Sequence, residues 1–160
     1  MASTEEHVSA GLLSAGERAE MERVWRGRPG FWGWLTAVDH KSVAKRYILT
    51  TFLFFLLGGL EALTMRLQLA RPENGLLDPD QYSQFFTMHG TTMMFLFGVP
   101  VQLAMAIYLV PLMVGTRNIS FPRLNAFGYW TYLVGGLLLY SGFALNTGPD
   151  AGWFNYVPLA

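Results

Sequence analysis

Residues 47–65, YILTTFLFFLLGGLEALTM, carry one charged side chain, Glu61, in an otherwise apolar run. A helix needs about 20 such residues to cross a hydrocarbon core of about 30 Å. This stretch therefore reads as a first membrane helix, and it sets the fold class. In lipid each backbone N–H and C=O must be satisfied within the protein, and a helix does this inside a single segment.

Working outward, there is no Asp, Glu, Lys or Arg from Tyr82 to Thr116. A second span over residues 84–113 would be about 45 Å long at 1.5 Å per residue, so it must tilt, protrude or bend, and Pro100 supplies a kink. A third span, residues 126–146, opens on aromatic residues and offers Gly135, Gly136 and Gly142 for close helix contact. Between the first two, residues 67–83 hold Pro72, Gly75 and Pro79 and should turn. The first two spans then form an antiparallel pair, which puts Arg66 and His89 at one depth. The expected fold is all-α and integral to the membrane, with about three transmembrane helices in residues 47–160 behind a cytoplasmic segment, residues 1–46.

The composition agrees. The chain has 160 residues, 52% hydrophobic and only 14% charged, about half the charged share of a soluble domain. It has no cysteine, which excludes disulfides, thiolate metal sites and a cysteine nucleophile. The first thirty residues are polar, so no cleavable signal peptide is expected. Nucleic acid is not an expected partner.

Basic residues set the orientation. Seven precede the first span (Arg18, Arg23, Arg26, Arg28, Lys41, Lys45, Arg46), Arg66 and Arg71 follow it, and Arg117 and Arg123 lie between spans two and three. Nine on one side against two on the other predicts a cytoplasmic N-terminus. FWGWLTAVDHKSVAKRY, residues 31–47, suits a segment lying at the cytoplasmic interface, or a plain stop-transfer flank.

His89 stands in FFTMHGTTMMFLF, residues 85–97. An unpaired imidazole in hydrocarbon costs several kcal/mol, so it should face the bundle interior and have a partner: a helix carbonyl, a polar side chain or a metal. Gly90 would admit a flat macrocycle, and Met93 and Leu96 continue the same face. Arg66 reads either as a snorkelling residue or as a donor to an electronegative group on a cofactor. Glu61 could pair with it, be protonated, or serve a proton or quinol site. In NTGPDAGWFNYVPLA, residues 146–160, Trp153 and Tyr156 suit an outer aromatic belt. The stretch has no closing polar tail and reads as the end of a fragment.

Several stretches together resemble subunit I of the haem-copper terminal oxidases. They are DHKSVAKRYI (39–48), MRLQL (65–69), TMHGTTMMFLFGVP (87–100), YLVPLMVGTRNISFPRLNAFGYW (108–130) and GWFNYVPL (152–159), in the family's order. The resemblance implies that His89 is an axial ligand of the low-spin haem, of A or B type, and that Arg66 meets a ring substituent of that haem. It implies Tyr82 and Trp153 as aromatic neighbours of the propionates. The second axial histidine, the copper histidines and the high-spin haem ligand would lie outside these residues. No catalytic residue is expected within them, and the chain alone should neither hold haem tightly nor turn over oxygen.

Departures from the family pattern matter too. Its proton-input loop reads close to GAPDMAFPR; here GTRNISFPR puts Asn118 at the aspartate position, and Ile107 stands where the family has an asparagine. An amide cannot release a proton at accessible pH. Gln68 replaces a carboxylate of an outer calcium or sodium site, which weakens the case for that cation. Quinol-oxidising members use an Arg, Asp, His and Gln set; the positions here are Leu57, Glu61, Gln81 and Gln84.

The resemblance implies a catalytic subunit in the bacterial plasma membrane that reduces dioxygen to water. It would work with other subunits, including a copper-bearing subunit II, and take electrons from cytochrome c. The alternatives are a quinol oxidase of the same family and a cofactor-free helical membrane module.

Overall fold

A computed structural model describes residues 14–25 and 29–158, the side chains of residues 24 and 25 excepted. Residues 1–13 and 26–28 of the first thirty, over which no cleavable signal peptide is expected, lie outside the described residues, and with them Arg26 and Arg28 of the charge count. The chain divides into two compact units, Met1–Ala37 and Val38–Ala160.

In the first unit, α1 spans Ala15–Trp25 and α2 spans Gly30–Thr36. A reciprocal cap opens α1: Ser14 donates from its backbone N–H and its hydroxyl to Glu17 Oε2, each at 2.8 Å, and the Ser14 hydroxyl accepts the Glu17 N–H. These bonds, the backbone one first, hold the Glu17 carboxyl below its ordinary range. On α2, Phe31 and Trp32 are exposed.

The second unit is helical throughout its described elements. Helix α3 spans His40–Gln68 and starts seven residues ahead of the apolar run, because Asp39 caps it by accepting the Ser42 N–H at 2.9 Å. Lys41, Lys45 and Arg46 are thus the helix's first turns. Arg46 is 1% exposed, with its guanidinium 5.0 Å from the Tyr129 ring centre and 5.9 Å from that of Trp130. The charge is held in a stacked aromatic setting.

Helix α4 spans Pro79–Thr91. Pro79, expected in the turn, occupies the first helical position, where its missing N–H costs nothing, and Asp78 and Gln81 form a full capping box. The helix passes into a π-helical segment, Thr92–Gly98, and then into α5, Val99–Met113. The disturbance expected at Pro100 falls mainly in the turns before it. Proline cannot donate to the carbonyl four residues back, and the Tyr132 hydroxyl donates to that Leu96 oxygen at 2.7 Å instead. Helix α6, Pro122–Ala144, begins after Phe121, whose φ of 57° is left-handed.

Contacts along α3 fix an antiparallel register. Gln68 meets Leu77, Gly58 meets His89 and Met93, and Phe52 and Phe55 meet Phe97. Val43, Ala44 and Tyr47 then pack with Ala104 and Ile107 of α5 and with Ala126 and Tyr129 of α6 as a buried core. Gly136 of α6 admits the Phe54 ring, since a Cβ there would stand 2.6 Å from Phe54 Cζ. Outward, α3 exposes Leu49, Phe52, Leu53, Leu56, Leu60 and Leu63. The α3 helix and the continuous Pro79–Met113 helix are each long and apolar enough to cross a membrane. Helix α6, the expected third span, has 23 residues, about 34 Å at 1.5 Å per residue, but among the described residues only α3 and the Pro79–Met113 helix meet that length and composition.

Candidate functional site

His89 lies in the last turn of α4, just before the π-helical segment, and is half-buried. Its Nδ1 is 2.9 Å from the carbonyl oxygen of Gly58 on α3. A carbonyl only accepts, so Nδ1 carries the proton and donates, and the Nε2 lone pair is left for another partner. The two helices approach this closely because Gly58 has no side chain. A Cβ there would sit 2.9 Å from Met93 Sδ and 3.2 Å from Thr92 Cγ2. Met93 therefore does share the face of His89, one turn on.

Gly90 also makes room within the protein. The Trp153 side chain lies over it, with Cδ1 3.1 Å and Cβ 3.2 Å from where a Gly90 Cβ would stand. The segment carrying Trp153 is pinned to α4 by the Gly152 N–H, which donates to Thr87 Oγ1 at 2.9 Å. The missing side chain thus admits an indole beside His89.

Arg66 and His89 do not share a depth. Arg66 is eight residues beyond Gly58, about 12 Å along the helix axis at 1.5 Å per residue, and is exposed. Tyr82, seven residues before His89, is the α4 residue nearer that level. It lines a cavity of about 580 Å³ with Gln68, Glu73, Asn74 and Asp78. The expectation treated the connecting segment as residues 67–83, whereas α4 already begins at Pro79 and so adds more than a turn before His89.

Glu61 is 4% exposed, and the hydroxyl of Tyr140 is the polar group beside its carboxyl. No ion pair joins it to Arg66. It faces Tyr140 of α6, whose hydroxyl pairs with Thr92 Oγ1 at 2.9 Å. Gln84 Oε1 is buried without a hydrogen-bond partner among the described residues. Gln84, Tyr140 and Gln81 line a cavity of about 530 Å³ with Phe85, Phe143 and Asn146. Leu57 is exposed on the outside of α3.

At the other end of the unit, Asn118 Oδ1 accepts the His40 N–H at 3.0 Å and the Ile119 N–H at 2.9 Å. The amide ties the α5–α6 loop to the first turn of α3, where helix N–H groups lack intrahelical partners. Ile107 is 3% exposed within the apolar core. In the α3–α4 connection the Gln68 carboxamide donates to the Asn74 carbonyl and accepts the Leu77 N–H at 2.8 Å, joining α3 to the turn before α4.

Sequence reasoning named His89, Glu61 and Gln84 but missed Gly58, Thr92 and Tyr140. Their roles depend on which backbone or hydroxyl faces them across helices. The glycine pair Gly58–Gly59 inside a spanning helix was the available signal. Among the described residues no three His, Cys, Asp or Glu side chains gather to hold a metal ion. What the site offers is one oriented imidazole nitrogen on an apolar helix face.

A family model described as cytochrome c and quinol oxidase polypeptide I matches residues 42–160. Cytochrome c oxidase subunit 1 of Bacillus subtilis (strain 168) is 46% identical over 129 residues, covering 81% of this chain and 21% of the relative. The protein of the same name from Bacillus sp. (strain PS3) is 48% identical with the same coverage. That from Synechocystis sp. (strain ATCC 27184 / PCC 6803 / Kazusa) is 49% identical over 123 residues, 77% of this chain and 22% of the relative. The chain spans about a fifth of the length of these curated relatives.

Proposed function

The chain belongs to the cytochrome c and quinol oxidase polypeptide I family, and from that premise we propose that it is the N-terminal part of the catalytic subunit of a respiratory terminal oxidase. The full subunit reduces dioxygen to water with electrons from cytochrome c, received through a copper-bearing subunit II. It sits in the bacterial plasma membrane with the α3 N-terminus toward the cytoplasm. Here His89 Nε2 is an axial ligand of a low-spin haem.

The observation that carries this reading is the His89 Nδ1–H bond to the Gly58 carbonyl. Iron takes a neutral imidazole through the nitrogen that bears no proton, and a second hydrogen bond that fixes the tautomer and ring plane raises ligand basicity. The residues present fit such a group, which supplies a one-electron carrier when bound. Gly58 sets the tautomer, Thr92 and Met93 close one side of the imidazole, and Trp153 over Gly90 shields the next turn. Arg66 serves a ring substituent nearer the outer surface, and Tyr82 and Trp153 serve the propionate side. The high-spin haem, its copper and the second axial histidine draw on residues outside this chain, so the segment alone holds haem poorly and turns over no oxygen.

The test is oxygen consumption by the purified full-length complex with reduced cytochrome c. His89→Ala should lower turnover at least a hundredfold, and near-normal turnover would support a packing role for His89. A second reading, quinol as donor, is favoured by the cavity that brings Gln81 and Gln84 together. Against it, the Gln81 side chain is engaged in the α4 cap and Leu57 supplies no charge. Oxygen uptake on ubiquinol but not on reduced cytochrome c would select that reading.

A further inference from the structure

The chain that leaves α6 returns to α4 as a strap that ends beside His89. Its start is fixed to α6, where Thr147 donates from its N–H and from its hydroxyl to the Gly142 oxygen, each at 3.0 Å. Gln84, Thr87 and Gly90 lie three residues apart along one side of α4, and the strap meets each in turn. A Cβ on Gly148 would stand 3.3 Å from Gln84 Oε1, the Gly152 N–H donates to Thr87 Oγ1 at 2.9 Å, and the Trp153 indole lies over Gly90. A turn closed by the Asn155 N–H on the Gly152 oxygen at 3.2 Å completes it.

Thr87 is oriented for this contact. It is 1% exposed, and its one hydroxyl proton goes to the Ser83 oxygen at 2.9 Å, so Oγ1 meets the strap as an acceptor. Gly152 presents its N–H from a φ of 82°, a left-handed conformation in which a side chain would be strained. Trp153 follows directly, so the bond that holds Gly152 also sets where the indole falls. Trp153 Cδ1 and Cβ stand 3.1 and 3.2 Å from a Cβ built on Gly90, and the Phe95 ring centre is 6.0 Å from that of the indole. What Thr87 controls is the apolar cover on the turn that carries His89.

We propose that Thr87 is a positioning residue for the low-spin haem, which by holding Gly152 keeps Trp153 over the His89 turn and keeps water away from the iron; this rests on His89 being an iron ligand. The apolar shell around a metal controls solvent access and with it the redox potential. Ferric haem carries one more positive charge than ferrous haem, and water stabilises the more highly charged form. Letting water in therefore lowers the midpoint potential.

The test is a redox titration of the low-spin haem in the full-length complex, followed at its absorption band. Thr87→Val keeps the shape of the side chain and removes the acceptor, and it should lower the midpoint potential. Thr87→Ser keeps the hydroxyl and should hold the wild-type value. Gly90→Ala displaces the indole with Thr87 intact and should shift the potential in the same direction as Thr87→Val. In a Trp153→Ala background Thr87→Val should add no further shift, because its effect passes through the indole. A wild-type midpoint in Thr87→Val, or an undiminished shift in the Trp153→Ala background, would overturn the proposal. A wild-type midpoint in Gly90→Ala would do the same, even where Thr87→Val failed to assemble. If His89→Ala kept the low-spin spectrum, the iron assignment itself would fall, an outcome separate from failure at Thr87.

Discussion

The imidazole of His89 donates from Nδ1 to the carbonyl oxygen of Gly58 at 2.9 Å, across the first antiparallel helix pair. The donor sits at the end of α4 and the acceptor ten residues before the end of α3, so the bond measures helix register as well as ring orientation. It survives only while the helices stay close enough for Thr92 and Met93 to lie on a glycine.

Gly58→Ala should therefore cost stability and disturb the site together. The added methyl would meet Met93 Sδ at 2.9 Å and Thr92 Cγ2 at 3.2 Å. Methionine can yield, so the loss should be about 1–3 kcal/mol, as for other overpacked interiors. Thermal unfolding of the detergent-solubilised complex reads the first effect, and a shifted low-spin haem absorption band reads the second. Gly58→Ala with Met93→Ala should recover part of both.

Removing the Tyr132 hydroxyl tests how the bend before Pro100 is supported. Tyr132→Phe leaves the Leu96 carbonyl without its 2.7 Å donor. A buried acceptor so orphaned costs about 1–3 kcal/mol. The expected result is a lower unfolding temperature without loss of the low-spin haem spectrum.

The all-helical fold and its first two apolar spans were legible in the sequence because hydrocarbon imposes long apolar runs, and 47–65 is such a run. Helix starts were less legible. Pro79 looked like a turn residue, but its place after Asp78 and two before Gln81 makes it the first residue of a capped helix. That shift carried His89 deeper than Arg66. The π-helical segment was not legible at all, because TMMFLFG has no distinctive pattern and its widened turns depend on Pro100 and on Tyr132 from another helix. For the site, an isolated histidine among apolar residues signalled a partner, while the partner proved to be a backbone oxygen that no sequence pattern marks.

Asn118 separates a structural role from a proton-conducting one. Its Oδ1 accepts two N–H groups, and an aspartate could accept both while sitting favourably at the α3 N-terminus. Asn118→Asp should leave unfolding unchanged and increase proton uptake from the cytoplasmic side, most of all with Ile107→Asn opening a polar path through the core. Measured proton stoichiometry and turnover unchanged in both variants would show that this position is not the missing element of the route.

The Gln68 carboxamide already joins the Asn74 carbonyl and the Leu77 N–H, so the α3–α4 connection should hold its shape without a bound cation. Adding calcium, or removing it with a chelator, should not move the low-spin haem band of the wild type. Gln68→Glu loses the donor to Asn74 and should make that band respond to calcium. A calcium-dependent shift in the wild type would contradict the clamp.

The most direct measurement is the electron paramagnetic resonance spectrum of the oxidised full-length complex carrying His89→Ala. The account predicts loss of the low-spin ferric haem signal, with subunit assembly and the remaining haem retained. An unchanged low-spin signal in the assembled variant would contradict ligation by His89.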